Sequence, residues 1–374
     1  MNQFIPLSQP SITNLEIDYV TDVLKSGWIS SLGKYINLFE ERFAEYCGTK
    51  YALTTSSGTT AIHLALVTYG IEADDEVIVP DLTFIATANA VTYTGAKVVL
   101  VDIEEDTLCI DPVQIEKAIT EKTKAIIPVH LYGHPANMIA IDKLAKKYNL
   151  LVVEDAAEAH GAAVKGQKTG SLGDCGIFSF YGNKLVTCGE GGMITTNDEE
   201  FYQKAKHLRD HAMSSSKRYW HDRIGYNYRM TNMQAALGLA QIERLDELLS
   251  RKREIFKLYE KTLSNISGIK LNFTADWASN VYWLVCLEIE GYTEKERNNL
   301  MLALSHEGIE TRPYFYPISD MPMYESNRIH TPVTHKVYQR GINLPSYFEL
   351  KNQQIDYVCE SLQVYLARCL NLIG

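Results

Sequence analysis

The chain has no run of apolar residues near the ~20 that cross a bilayer, so a membrane-spanning protein is not expected. It also lacks any CxxC pair. Its seven cysteines, Cys47, Cys109, Cys175, Cys188, Cys286, Cys359 and Cys369, are odd in number and scattered. That argues against a disulfide framework or a structural zinc site and for a reducing, cytoplasmic compartment; no metal is expected. Positive charge is in deficit, with 36 Lys+Arg against 46 Asp+Glu and a formal net charge of −10. Without a basic stripe, broad binding to nucleic acid is excluded, whereas a small anion needs only a local positive field. Met1 to Pro10 has no basic stretch followed by an apolar core, so no signal peptide is expected. Neither GxGxxG after an early strand nor GxxxxGK[ST] occurs, which disfavours a dinucleotide fold and a P-loop. Repeats and low-complexity tracts are missing too.

What is present is an ordinary enzyme-like composition, 46% apolar and 22% charged over 374 residues, enough for about two domains. Short β-branched runs occur at Val77–Pro80, Val98–Ile103, Ala125–Val129, Leu150–Glu154, Gly176–Phe180 and Met193–Thr196, mostly separated by helical patterns. Repeated β–α–β of this kind predicts an α/β fold with a mostly parallel sheet covered on both faces. Ligands in such folds sit beyond the carboxyl ends of the strands. Thr13 with Glu16 predicts a capped first helix that ends at Gly27. One long helix is predicted over Met233–Lys257. The remainder reads as a smaller α+β unit: strand Val281–Ile289, helix Glu294–Glu307, strand Ile309–Tyr314 and helix Asn352–Leu366. The division is placed at residue 250, giving 1–250 and 251–374.

Three features follow the strands. Thr54-Thr55-Ser56-Ser57-Gly58-Thr59-Thr60 precedes an apolar helix, Ala61–Tyr69, and small hydroxyl residues with glycine at a helix N-terminus make an anion cradle. The plainer alternative is an ordinary Ser/Thr cap. Glu154-Asp155 ends an apolar run, where a carboxylate is costly to desolvate unless it has a cationic partner. A solvated strand end is the alternative there. Phe178-Ser179-Phe180-Tyr181-Gly182-Asn183-Lys184 ends a strand in a turn that delivers one lysine, either an exposed loop residue or an amine for Schiff-base chemistry. Anion site, carboxylate and lysine together fit pyridoxal 5′-phosphate, and Phe84 could cover one face of its ring.

In order along the chain, Ser26-Gly27-Trp28-Ile29-Ser30, Ser57-Gly58-Thr59-Thr60-Ala61, Glu154-Asp155-Ala156-Ala157-Glu158, Phe178–Lys184, Gly189-Glu190-Gly191-Gly192-Met193 and Gly225-Tyr226-Asn227-Tyr228-Arg229-Met230 resemble the pyridoxal-phosphate-dependent sugar-nucleotide aminotransferases of the DegT/StrS type. The resemblance spans nearly the whole chain. It implies fold type I, with a large cofactor-binding domain and a small C-terminal α+β domain. It also implies that Lys184 is the Schiff-base lysine and that Asp155 pairs with the pyridine nitrogen. Gly58, Thr59 and Ser179 would bind the phosphate with Ser57 close by. Phe84 would stack on the ring, and Glu158 would lie near the phenolic oxygen. Asn227 would be a phosphate ligand from the partner subunit, so that a homodimer shares its active sites.

Within the family, Arg218-Tyr219-Trp220-His221, Thr311-Arg312-Pro313 and Gly341-Ile342-Asn343-Leu344-Pro345 are most similar to the perosamine-forming branch. That implies amino transfer from L-glutamate to C4 of GDP-4-keto-6-deoxymannose, the product feeding a polysaccharide such as an O-antigen. Enzymes that form viosamine nucleotides share most of these motifs, which makes UDP- or dTDP-4-keto-6-deoxyglucose the alternative. Trp28, Ser30, Arg218, Trp220, Arg229, Arg312 and Tyr316 are the candidate contacts to the sugar nucleotide, each with surface ion pairing or core packing as the plainer role.

Overall fold

The computed structural model describes residues 4–327 and 329–371. Met1 and the side chain of Cys369 lie outside the described residues. Among those described, no helix is long and apolar enough to cross a membrane.

A seven-stranded sheet forms the centre. Its spatial order is Tyr51–Thr55, Gly192–Thr196, Cys175–Ser179, Leu151–Asp155, Thr123–Ile126, Glu76–Pro80 and Lys97–Val101. Gly192–Thr196 runs antiparallel to both neighbours, and the other six strands point the same way. Their carboxyl ends therefore share one edge of the sheet. The strands read as unbroken apolar runs because both faces are covered. Val77 and Val79 pack with Leu64 of the helix Gly58–Tyr69, whereas Ile78 between them packs with Ile141 of the helix Met138–Tyr148. Each such side chain contributes about 1.5–3 kcal/mol when fully buried.

Thr13 and Glu16 form the reciprocal cap of the helix Asn14–Ser26, and Gly27 ends it at φ 74°. The long helix predicted over Met233–Lys257 is instead two, Asn232–Glu243 and Leu245–Leu263, broken at Arg244 with φ −105° and ψ 4°. The Arg244 guanidinium donates to Glu16 Oε1 at 2.8 Å and to Ser11 Oγ at 3.1 Å. That tether comes from the N-terminal segment, and the leucine periodicity continues through the break. Residue 250 falls inside the second of these helices.

The C-terminal sheet is antiparallel, in the order Ile269–Leu271, Val285–Ile289, Gly341–Leu344 and Arg312–Pro313. The strand predicted at Ile309–Tyr314 is shorter than its apolar pattern. Pro313 has no N–H to continue a ladder, and Ile309 bridges Ile5 instead, with Glu310 N donating to the Ile5 carbonyl at 2.9 Å. Two buried carboxylates tie this half to the central sheet. Asp81, just after one strand, accepts from Ser319 N and Oγ at 2.8 Å each and from Thr331 Oγ1 at 2.6 Å. Asp102, just after the next strand, accepts from Thr334 N at 2.8 Å and Val333 N at 2.9 Å.

Candidate active site

Ser57 begins the helix Gly58–Tyr69. Its Oγ accepts from Thr60 N at 3.2 Å, and Ser57 N donates back to Thr60 Oγ1 at 3.0 Å. The amides of Gly58 and Thr59, in the first turn, have no intrahelical acceptor, so two donors stand at the positive end of the helix. Ser179 lies beside them: a Cβ on Gly58 would be 3.0 Å from the Ser179 Cβ. Gly192 pairs with both Thr55 and Ser179, and a side chain there would strike the Ser57 carbonyl at 2.3 Å. The cradle is thus built where three strand ends meet, and glycine keeps it open.

Neither carboxylate of Glu154-Asp155 is solvated. Strand alternation sends them to opposite faces. Glu154 accepts from the amides of Gly170, Leu172 and Gly173 and from His130 Nε2, all within 3.0 Å. Since Nδ1 of His130 accepts from Ala136 N, the ring proton is on Nε2. Asp155 instead accepts from Thr87 Oγ1 at 2.7 Å and from Ala157 N at 3.2 Å. Burial pushes the Asp155 carboxyl up from its ordinary pKa, opposed by those hydrogen bonds and by the charge of Lys184.

Lys184 is no exposed loop residue; its side chain is 11% accessible. Nζ is 3.4 Å from Glu158 Oε1 and 4.0 Å from the centre of the Trp283 ring. The other Glu158 oxygen accepts from Tyr132 N at 2.9 Å. Burial raises the Glu158 carboxyl as well, again against the pull of Lys184. Two buried carboxyl groups thus share one ammonium, which leaves the pocket short of positive charge. Phe84 is more than half exposed, with its ring 5.8 Å from Phe315, which stacks on Tyr132 at 5.5 Å.

Ser57, Gly58, Thr59, Ser179, Asp155, Glu158 and Lys184 are therefore gathered at one sheet edge. The remaining candidates stand outside that cluster. Asn227 is exposed and accepts from Arg229 at 3.1 Å, and Arg229 also pairs with Asp210 at 2.7 Å. Arg218 rests on Tyr219, Lys217 on exposed Trp220, and Arg312 pairs with Glu310 at 3.3 Å. Tyr316 Oη donates to Glu294 at 3.2 Å. The backbones of Trp28 and Ser30 are docked on Asn232 while the Trp28 side chain stays exposed. Among the described residues, no hydrogen bond or ion pair joins any of these to Lys184, Asp155 or Glu158.

A model of one aminotransferase family matches residues 10–363. The chain belongs to the DegT/DnrJ/EryC1/StrS aminotransferase family. It is similar to the GDP-perosamine synthase of Escherichia coli O157:H7, with 47% identity across 97% of this chain and 99% of that protein. The GDP-perosamine synthase of Caulobacter vibrioides is 44% identical across 97% and 98%. Among solved structures, a candidate sugar aminotransferase from Streptococcus pneumoniae in its PMP-form superposes with a TM-score of 0.94, at 31% identity and 99% coverage of both chains. The protein is accordingly a pyridoxal-phosphate-dependent sugar aminotransferase, with the mixed, mostly parallel central sheet of that family.

The residues present fit that cofactor. Free amides at the start of Gly58–Tyr69 lie beside Ser179, Lys184 is 3.4 Å from Glu158, and the carboxyls of Asp155 and Glu158 are both desolvated. Among the described residues, Asn183 Oδ1 is buried with no hydrogen-bond partner, next to the lysine in sequence.

Sequence reasoning missed several residues that the structure packs around this cluster. Thr87, which orients Asp155, carries no motif of its own. His160, buried between Phe178 and Phe180, lies two residues past Glu158, and that position was the available signal. Burial lowers its pKa to about 3, so its ring is neutral. Trp283 gave no local signal, being 100 residues from Asn183, whose carbonyl it binds.

Proposed function

We propose that this enzyme transfers the amino group of L-glutamate to C4 of GDP-4-keto-6-deoxymannose, forming GDP-perosamine, and that it does so in the cytoplasm as a homodimer with shared active sites. The reaction class rests on Lys184 poised between Glu158 and the Trp283 ring at the edge that also carries Asp155 and Ser57. The substrate rests on near-full-length similarity to relatives named GDP-perosamine synthase. In this reading residues 1–250 are the large cofactor domain and 251–374 the small domain.

Bound pyridoxal phosphate supplies an aldehyde for amine capture and a ring that takes up the electron pair left when a C–H proton is removed. Lys184 would hold it by its amine. The Gly58 and Thr59 amides with the Ser57 and Ser179 hydroxyls would hold its phosphate, Phe84 would cover one face, and Glu158 would lie at the phenolic oxygen. Asp155, fixed by Thr87, would keep the ring nitrogen protonated. The Lys184 amine takes a proton from the α-carbon of glutamate in the first half-reaction and returns one to C4 of the sugar in the second.

Trp28, Ile29, Leu32 and Ile224 are exposed apolar side chains that a second copy would cover. Asn227 of that copy would reach the phosphate, with Trp28, Ser30, Arg218, Trp220, Arg229, Arg312 and Tyr316 toward the sugar nucleotide. An Asn227→Asp enzyme sets a negative charge beside a phosphate, so its affinity for pyridoxal phosphate is expected to fall by roughly tenfold or more. Equilibrium titration of the apoenzyme measures this, and unchanged affinity removes Asn227 from the shared site.

The deciding assay supplies L-glutamate and compares GDP-4-keto-6-deoxymannose with UDP- and dTDP-4-keto-6-deoxyglucose. The GDP substrate is expected to show kcat/KM at least about tenfold higher. A preference for either glucose-derived nucleotide replaces this reading with viosamine formation.

A further inference from the structure

The group beneath Lys184 comes from the C-terminal half of the chain. The Trp283 indole is buried and presents its face to the ammonium of Lys184, 4.0 Å from the ring centre. Its Nε1–H donates at 3.0 Å to the carbonyl of Asn183, which also accepts from Ser8 Oγ at 3.1 Å. That carbonyl belongs to the peptide unit that joins Asn183 to Lys184. The N–H of the same unit donates to the Tyr181 carbonyl at 2.9 Å, so the peptide plane is held at both ends.

Trp283 is itself anchored. Its carbonyl accepts from Lys252 Nζ at 2.6 Å, and the same ammonium donates to the carbonyl and the hydroxyl of Ser346, each at 2.6 Å. Ser346 N in turn donates to the Leu7 carbonyl at 2.9 Å, one residue before Ser8. Lys252 is buried, and burial lowers its pKa to about 7. A buried amine held, among the described residues, by three oxygens and no carboxylate costs stability relative to an apolar side chain. Its contacts lead to Trp283 and to the segment beside Asn183.

We propose that Trp283 is a positioning residue for Lys184, its ring face holding the ammonium and its Nε1–H fixing the peptide unit from which Lys184 springs. Lys252 acts through Trp283 by pinning its backbone. The charged and titratable groups around Lys184 are Glu158, Asp155 and His160, and Lys252 lines the same cavity as Lys184 and Trp283. The indole favours the protonated amine without adding a third carboxylate to the pocket. This inference rests on Lys184 being the cofactor lysine.

The test compares wild type, Trp283→Phe and Trp283→Leu. In the apoprotein, the pKa of Lys184 is read from the pH dependence of its acylation, followed by mass spectrometry of the peptide that contains it. Trp283→Leu is expected to lower that pKa by about 0.5–1 unit, the loss of one cation–π contact. Trp283→Phe keeps a ring and is expected to shift it by less than about half as much. In the loaded enzyme, Trp283→Leu is expected to lower kcat about tenfold, with KM for the sugar nucleotide changed less than about threefold. A folded Trp283→Leu protein with unchanged Lys184 pKa overturns the proposal, whether or not its Tm has fallen, because packing alone would move only Tm. Failure of the underlying reading is separate: wild type would then show no visible absorption band with pyridoxal phosphate.

Discussion

Lys184→Ala is expected to abolish amino transfer, with turnover at least about 10⁴-fold below wild type, and to remove the visible absorption band of the loaded enzyme. The reason is the isolation of this amine. Its neighbours are Glu158 at 3.4 Å and the Trp283 ring, and the other buried amine nearby, Lys252, is committed to Trp283 and Ser346. Nothing in that arrangement lets a second lysine take over both covalent capture and proton transfer. The same variant also makes a thermodynamic prediction. Burial already raises the carboxyls of Asp155 and Glu158; at Asp155 the Thr87 and Ala157 hydrogen bonds and then Lys184 oppose it, and at Glu158 Lys184 is the first opposing cause. Without Lys184 both folded-state pKa values rise further above their unfolded values, and the native state then binds more protons than the unfolded one. Its stability must fall as pH rises through those folded-state values. Tm measured from acid to neutral pH should therefore decline more steeply in apo Lys184→Ala than in the wild-type apoprotein. Parallel curves, or appreciable turnover, would contradict the role assigned to Lys184.

Asp155→Asn is expected to lower kcat by about 10²–10³-fold while affinity for pyridoxal phosphate changes by less than about tenfold. Thr87 and Ala157 bond to different carboxylate oxygens, so the amide oxygen can keep the Ala157 N–H while the amide NH2 donates to Thr87 Oγ1, and the geometry at the strand end survives. What is lost is the negative charge that would keep a ring nitrogen protonated inside a buried pocket. In the proposed reading, binding would rest largely elsewhere, on the helix N-terminus at Gly58 and Thr59 and on Lys184. Steady-state kinetics beside cofactor titration separate the two effects. Near-normal kcat would show that this carboxylate does not tune the ring.

Some of this was legible residue by residue. Thr13 with Glu16 marked a helix start, and Gly27 its end, because capping depends on groups within one turn. Ser57 was legible as a helix cap for the same reason, and the structure shows that cap, with the Gly58 and Thr59 amides left free beside it. The strands were visible as apolar runs, since a sheet covered on both faces needs no alternation. Glu154 and Asp155 were harder. Both end the same strand, and only the structure shows that one is satisfied by three backbone amides and His130 while the other meets Thr87 on the opposite face. Arg244 was illegible, because a leucine stripe continues across the break that its contact with Glu16 accompanies.

The amino-acid sequence by itself determined the local pieces: the caps, the strand runs, the glycines of the cradle and the lysine at the end of Phe178–Lys184. These depend on neighbours a few bonds away, and backbone sterics and hydrogen bonding act at that range. Tertiary structure alone decided which distant groups surround them. Thr87 reaches Asp155, Trp283 slides beneath Lys184, and Thr331 closes on Asp81 across 250 residues of chain. No periodicity encodes such meetings, because they arise only when folding has removed water from the carboxylates and the ammonium and left them to be satisfied by whatever the topology brings near.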